Sequence, residues 1–110
     1  MALKHAQPLD IIDVRPLGNQ LRNAVTASLI KTPTLQLMRV VLQSGQRMRE
    51  HSIAGALTVQ CLEGEAIVTT PSRSCHLTAG QLVMLAGAEP HGVEALSDCS
   101  LLVTVLLQGN

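Results

Sequence analysis

Histidine and cysteine carry most of the chemistry open to this 110-residue chain: His5, His51, His76 and His91, with Cys61, Cys75 and Cys99. A neutral imidazole donates and accepts hydrogen bonds, ligates divalent cations and titrates near physiological pH. Two that meet in a pocket can bind a ligand, hold a metal or move protons. The cysteines are odd in number and widely spaced, so they match neither a disulfide framework nor a Cys-x-x-Cys zinc site. They read as buried free thiols in a reducing compartment. Asp10, Asp13 and Glu63 show no spacing that sets two carboxylates across one bond. No Gly-rich phosphate loop or serine-nucleophile elbow is present, so the spacing assigns no catalytic residue. Arg47 and Arg49 flank Met48 just before His51; they read as a solvated loop, with an anion clamp at a pocket rim as the sharper alternative.

Composition narrows the partners. Eight basic and eight acidic residues cancel without forming a basic cluster, so neither nucleic acid nor an anionic membrane is an expected partner. Phe, Tyr and Trp are absent, which removes the stacking surfaces that hold single strands. No apolar run approaches the roughly 20 residues that span a bilayer, and the N-terminal stretch lacks a signal-peptide core. The expected location is the cytoplasm. A chain that is 46% hydrophobic and 15% charged has a core to bury. That core must be built from Leu, Val, Ile, Met and Ala, with Met38, Met48 and Met84 as flexible fillers.

The elements that would position the histidines are short. Apolar segments at Leu35–Leu42, Ala56–Leu62, Ala66–Thr70, Gln81–Leu85, Gly92–Ala95 and Leu101–Leu107 alternate with turn signals. Those signals include Ser44-Gly45, Glu63-Gly64, Pro71-Ser72, Ala79-Gly80 and Glu89-Pro90. This pattern predicts an all-β sandwich or barrel. A short helix over Gln20–Leu29 is opposed by the β-branched Val25 and Thr26. Residues 1–33 are expected to form an N-terminal strand and linker packed on a barrel of residues 34–110.

Two stretches in the β region resemble the paired motifs of the cupin superfamily. In the first, Gly45 is followed after five residues by His51, and Leu62-Glu63-Gly64-Glu65 supplies the closing glycine turn. In the second, Leu77-Thr78-Ala79-Gly80-Gln81 opens the motif and Ala88-Glu89-Pro90-His91-Gly92-Val93 carries its histidine. The resemblance covers roughly residues 35 to 107. It implies a small jelly-roll barrel, the double-stranded β-helix, with His51 and His91 facing a common pocket alongside Ile53 and Leu57.

The resemblance also implies a metal site, in which three histidines and a carboxylate hold iron, manganese, nickel or zinc. Only His51 and His91 match that set. Ile53 stands at the second histidine position and Leu57 at the glutamate position. Ala86, Ala88 and Ala95 stand at the proline, glycine and asparagine positions of the second motif. A third ligand would have to come from Cys61, on the same strand face as Leu57 and Val59, or from His76. A buried thiol and an exposed polar histidine are the plainer readings of those two.

The leading expectation is a cupin-type protein that binds a small organic molecule in a mostly apolar pocket containing His51 and His91, with no cofactor required. The alternative is a metal-dependent enzyme of dioxygenase, isomerase or decarboxylase type. A third reading is a structural dimerisation module with its interior filled by Leu and Met, which a pocket below roughly 300 Å³ would favour. A homodimer is expected in each case. The β-prone stretch Leu9–Val14 has no partner in the motifs, and Leu101–Leu107 is apolar on both faces except at Thr104.

Overall fold

The computed structural model describes residues 5–51 and 54–107, apart from the side chains of 49–51. The side chain of His51 and the whole of Ile53 therefore lie outside the described residues. A 3₁₀ turn at Gly18–Asn23 precedes nine strands: β1 Ala27–Lys31, β2 Leu35–Leu42, β3 Arg47–His51, β4 Leu57–Glu63, β5 Glu65–Thr69, β6 Ser74–Thr78, β7 Leu82–Leu85, β8 His91–Ala95 and β9 Cys99–Leu106. They form two antiparallel sheets, ordered β1-β2-β9-β4-β7 and β3-β8-β5-β6. Among the described residues no helix is long and apolar enough to cross a membrane. The β-branched Val25 and Thr26 lead into β1 rather than a helix, as their stiffness favours.

Strand alternation builds the core. Leu57, Val59 and Cys61 of β4 point inward, as do Ala66 and Val68 of β5 and Leu101, Val103 and Val105 of β9, all buried. The two inner faces meet in one cluster of aliphatic side chains and thiols. Without aromatics, the layer is filled by short branched side chains that interlock closely, so shortening one by a few methyl groups costs about 2–5 kcal/mol.

One end of the barrel is closed by the β4–β5 hairpin. Gly64 sits at φ +79° there, and a Cβ at this position would overlap the Asp98 carbonyl oxygen. Beside it, the Glu63 carboxylate accepts the Ser100 hydroxyl at 2.7 Å and the N–H groups of Leu17 at 2.8 Å and Gly18 at 3.1 Å. These bonds tie the N-terminal segment to the barrel. Burial alone would raise the Glu63 pKa, but the three donors outweigh it and hold the carboxyl below its ordinary range. The Ala6 N–H bonds the Leu29 carbonyl at 2.9 Å, and the Arg39 guanidinium donates to the Asp13 and Arg15 carbonyls. Between these ties, Leu9 and Ile11 are almost wholly exposed, and Leu9–Val14 joins no ladder among the described residues.

Candidate functional site

His91 opens β8 at the other end of the barrel, and the turn before it sets its position. Ala86 and Glu89 close a β-turn through a 3.4 Å bond from the Glu89 N–H to the Ala86 carbonyl. Gly87 leaves room at the first central position, where a Cβ would overlap the Ala54 carbonyl oxygen. Ala88 follows at φ +65°, a left-handed conformation that glycine adopts freely and alanine does not. This is the position at which the motif carries glycine, so the backbone geometry of the turn persists although the residue has changed.

The turn aims Glu89 back at the histidine. The Nδ1–H of His91 donates to the Glu89 carbonyl oxygen at 3.2 Å. In the neutral ring this leaves Nε2 as the acceptor nitrogen. His91 is 3% exposed and lines a hollow walled by Met38, Met48, Leu57, Val59 and Val103. His51 lies directly opposite His91 in the β3–β8 ladder, so the two motif histidines do meet in register.

The hollow is about 30 Å³, enough for ordered water and too small for an organic ligand with these side chains in place. Met38, Met48 and Leu57 fill the remainder. A larger space adjoins it. A cleft of about 310 Å³ opens between the β5–β6 hairpin and β7, with Val68, Val83 and Leu85 as its apolar wall and Arg73 and Glu89 among its polar groups. Leu57 of the hollow pairs with Leu85 of the cleft, and Val93 of the hollow with Val68. Those two aliphatic pairs separate the spaces.

The remaining candidates are placed elsewhere. The Cys61 thiol lies against the carbonyls of Glu63 and Gly64 at the closed end, where burial pushes its pKa up. Burial likewise pushes Cys99 up to about 11. His76 faces outward and bonds the Glu65 carboxylate at 2.7 Å. Neither Cys61 nor His76 lines the His91 hollow. Arg47 belongs to a strand rather than a solvated loop, and it pairs with Glu94 across β3–β8 at 3.5 Å. His5 bonds the Ser28 hydroxyl.

A metal held as the motif implies needs donors where this chain carries hydrocarbon. Leu57, at the glutamate position, is buried in the hollow wall, and isoleucine stands at the second histidine position, residue 53. Among the described residues no group of three or more His, Cys, Asp or Glu could hold a cation. The donors described do not fit the four-ligand site. The cleft, by contrast, escaped the reading of the sequence; the signal for it was a charged residue in each of two turns, Pro71-Ser72-Arg73 and Ala88-Glu89-Pro90, flanking strands that share one barrel end.

No protein-family model matches the sequence, and no curated protein matches it. Solved structures do. A protein of unknown function from Streptococcus pyogenes superposes with a TM-score of 0.77 at 19% identity, over 100% of this chain and 97% of its own. A cupin superfamily protein from Desulfitobacterium hafniense gives 0.78 at 17% identity, over 94% of this chain and 100% of that one. An RmlC-like cupin with a double-stranded β-helix from Methanocaldococcus jannaschii gives 0.73 at 17% identity, over 89% and 93%. The two antiparallel sheets and these superpositions lead to one conclusion: this chain has the double-stranded β-helix fold of the cupin superfamily.

Proposed function

We propose that this cupin-domain protein binds a small organic molecule at the open end of its barrel, with His91 as the polar anchor. The observation that carries this reading is the held imidazole. A buried His91, its Nδ1–H held by the Glu89 carbonyl, sets a fixed imidazole among aliphatic walls and next to a ligand-sized cleft. A fixed imidazole in such a place suits a ligand hydroxyl or an organic acid, and the apolar surround strengthens a hydrogen bond by excluding water. Admission to the hollow requires Met38 or Met48 to change rotamer, which a thioether side chain does at little cost. His51 stands opposite His91 in the ladder, and Leu57 is an apolar wall of the hollow. A thermal-shift screen of small hydroxy compounds and organic acids tests the reading. Compounds that raise the melting temperature of the native protein should fail to raise that of His91→Leu. Equal shifts in both proteins would remove His91 from the site.

The filled interior favours a second reading, a structural module that works through its surface. We propose a homodimer under either reading. On the outer face of the five-stranded sheet, Leu82, Met84 and Leu106 are more than half exposed, and Thr58, Gln60, Leu102 and Thr104 lie between them in register. The bare Leu9 and Ile11 add apolar surface on the N-terminal segment, which would cover the partner. Light scattering after size exclusion should give twice the chain mass; a mass near 11.7 kDa would exclude the dimer.

A further inference from the structure

The 310 Å³ cleft carries a charge pattern that neither the fold nor the histidines account for. Arg73 and Glu89 line it together, and among the described residues neither forms an ion pair with the other or with any third group. Each is mounted on a hydrogen-bonded turn. Thr70 holds the Arg73 turn, its hydroxyl oxygen accepting the Arg73 N–H at 3.3 Å and its own N–H donating to the Arg73 carbonyl at 2.8 Å. The Glu89 N–H is held by Ala86, and its carbonyl by the ring of His91. Opposite charges on separately fixed backbones are prearranged for a ligand that carries both signs. Between them, Val68 and Leu85 are buried and Val83 is half-buried, giving the ligand an aliphatic bed.

From this arrangement we infer that the cleft binds a zwitterion with an aliphatic side chain, of the class of a free branched amino acid. The Arg73 guanidinium takes the carboxylate through its planar fork, and the Glu89 carboxylate takes the ammonium group. The side chain lies on Val68, Val83 and Leu85. The space, at the lower end of the range for small-molecule sites, admits a single amino acid rather than a peptide. No aromatic face exists in the chain to stack a ring or a cation, so the apolar wall selects aliphatic groups.

This inference rests on the reading of the barrel mouth as a small-molecule site, and a built-in reporter separates the two. Cys75 lines the cleft and is partly exposed, whereas Cys61 and Cys99 are fully buried with raised pKa values. A thiol reagent applied to the folded protein therefore modifies Cys75 first. L-Leucine at millimolar concentration should slow that modification, and Arg73→Gln and Glu89→Gln should each weaken the protection by roughly tenfold. Leucinamide, which lacks the carboxylate, and 4-methylpentanoate, which lacks the ammonium group, should protect far less than leucine. Protection that survives in His91→Leu places the zwitterion in the cleft without the histidine, and so fails the anchor while sustaining this inference. Absence of protection by leucine, or equal protection by 4-methylpentanoate, overturns it.

Discussion

The two ends of the barrel are built to different standards of closure. At the hairpin end, Cys61, Cys99, Ser100 and Leu101 are completely buried, Gly64 has no room for a methyl group, and the Glu63 carboxylate is bonded to three donors. At the His91 end a non-glycine residue occupies a left-handed backbone, a hollow remains beside the histidine, and two charges face a cleft without an ion pair among the described residues. The same pairs of strands, β4–β9 and β5–β8, run through both ends. Stability is concentrated at one end of these ladders, which leaves the other able to carry strain, space and unmatched charge. Binding sites draw on those three resources.

The contrast can be broken most severely at the closed end. Gly64→Ala should cost more than about 3 kcal/mol or prevent folding, because it combines a left-handed φ with overlap onto the Asp98 carbonyl. Chemical denaturation measures this directly, and a loss below 1 kcal/mol, roughly the bare conformational term, would show that the hairpin end yields easily. Glu63→Gln should cost about 1–2 kcal/mol, since an amide cannot accept all three bonds. The sign of its pH dependence follows from the lowered pKa. The contribution of Glu63 is fully present above the ordinary carboxylate value of 4.5 and disappears as pH falls through the lower folded value. The stability gap between native protein and variant should therefore narrow only in that acid range.

At the open end the same kind of change should act in reverse. Ala88→Gly should stabilise the protein by about 0.5–1 kcal/mol, the left-handed penalty relieved being partly offset by a more flexible unfolded chain. A rise in melting temperature checks this; a fall would mean that the turn is not strained. The smallest expected effect concerns metal. Protein purified without a histidine tag should contain well under one equivalent of iron, manganese, nickel or zinc by elemental analysis, and a chelator should leave its melting temperature unchanged. The motivation is the loss of donors at Ile53 and Leu57. A stoichiometric metal lost in His51→Ala would revive the four-ligand site.

Strands with an apolar inward row were legible in the sequence. Leu35–Leu42 is observed as β2 with those bounds, and five further segments appear as β4, β5, β7, β8 and β9 within a residue or two at each end. Three strands lack such a row and fall outside those apolar segments. Arg47–His51 pairs through its backbone while its side chains are mostly polar, Ser74–Thr78 buries only Leu77, and Ala27–Lys31 lies at a sheet edge inside the N-terminal segment. The ladder sets His51 opposite His91 at the backbone, a register that strand order alone does not fix. The size of the hollow was not legible either, because it depends on how Met38 and Met48 fold into it, and no spacing rule encodes a rotamer. The cleft stayed hidden for a related reason. Arg73 and Glu89 are 16 positions apart in unrelated turns, and only the folding of β6 beside β4 brings their ends of the barrel together.

The state of the His91 ring tests the central claim most directly. Ring-nitrogen chemical shifts from uniformly ¹⁵N-labelled protein, assigned with His91→Leu, should show the proton on Nδ1 in the neutral form, as the bond to the Glu89 carbonyl requires. A compound that passes the thermal-shift screen should then move the Nε2 resonance while Nδ1 stays nearly fixed. A proton on Nε2 in the free protein, or an Nε2 signal indifferent to every such compound, would contradict the account of His91 as the anchor of the site.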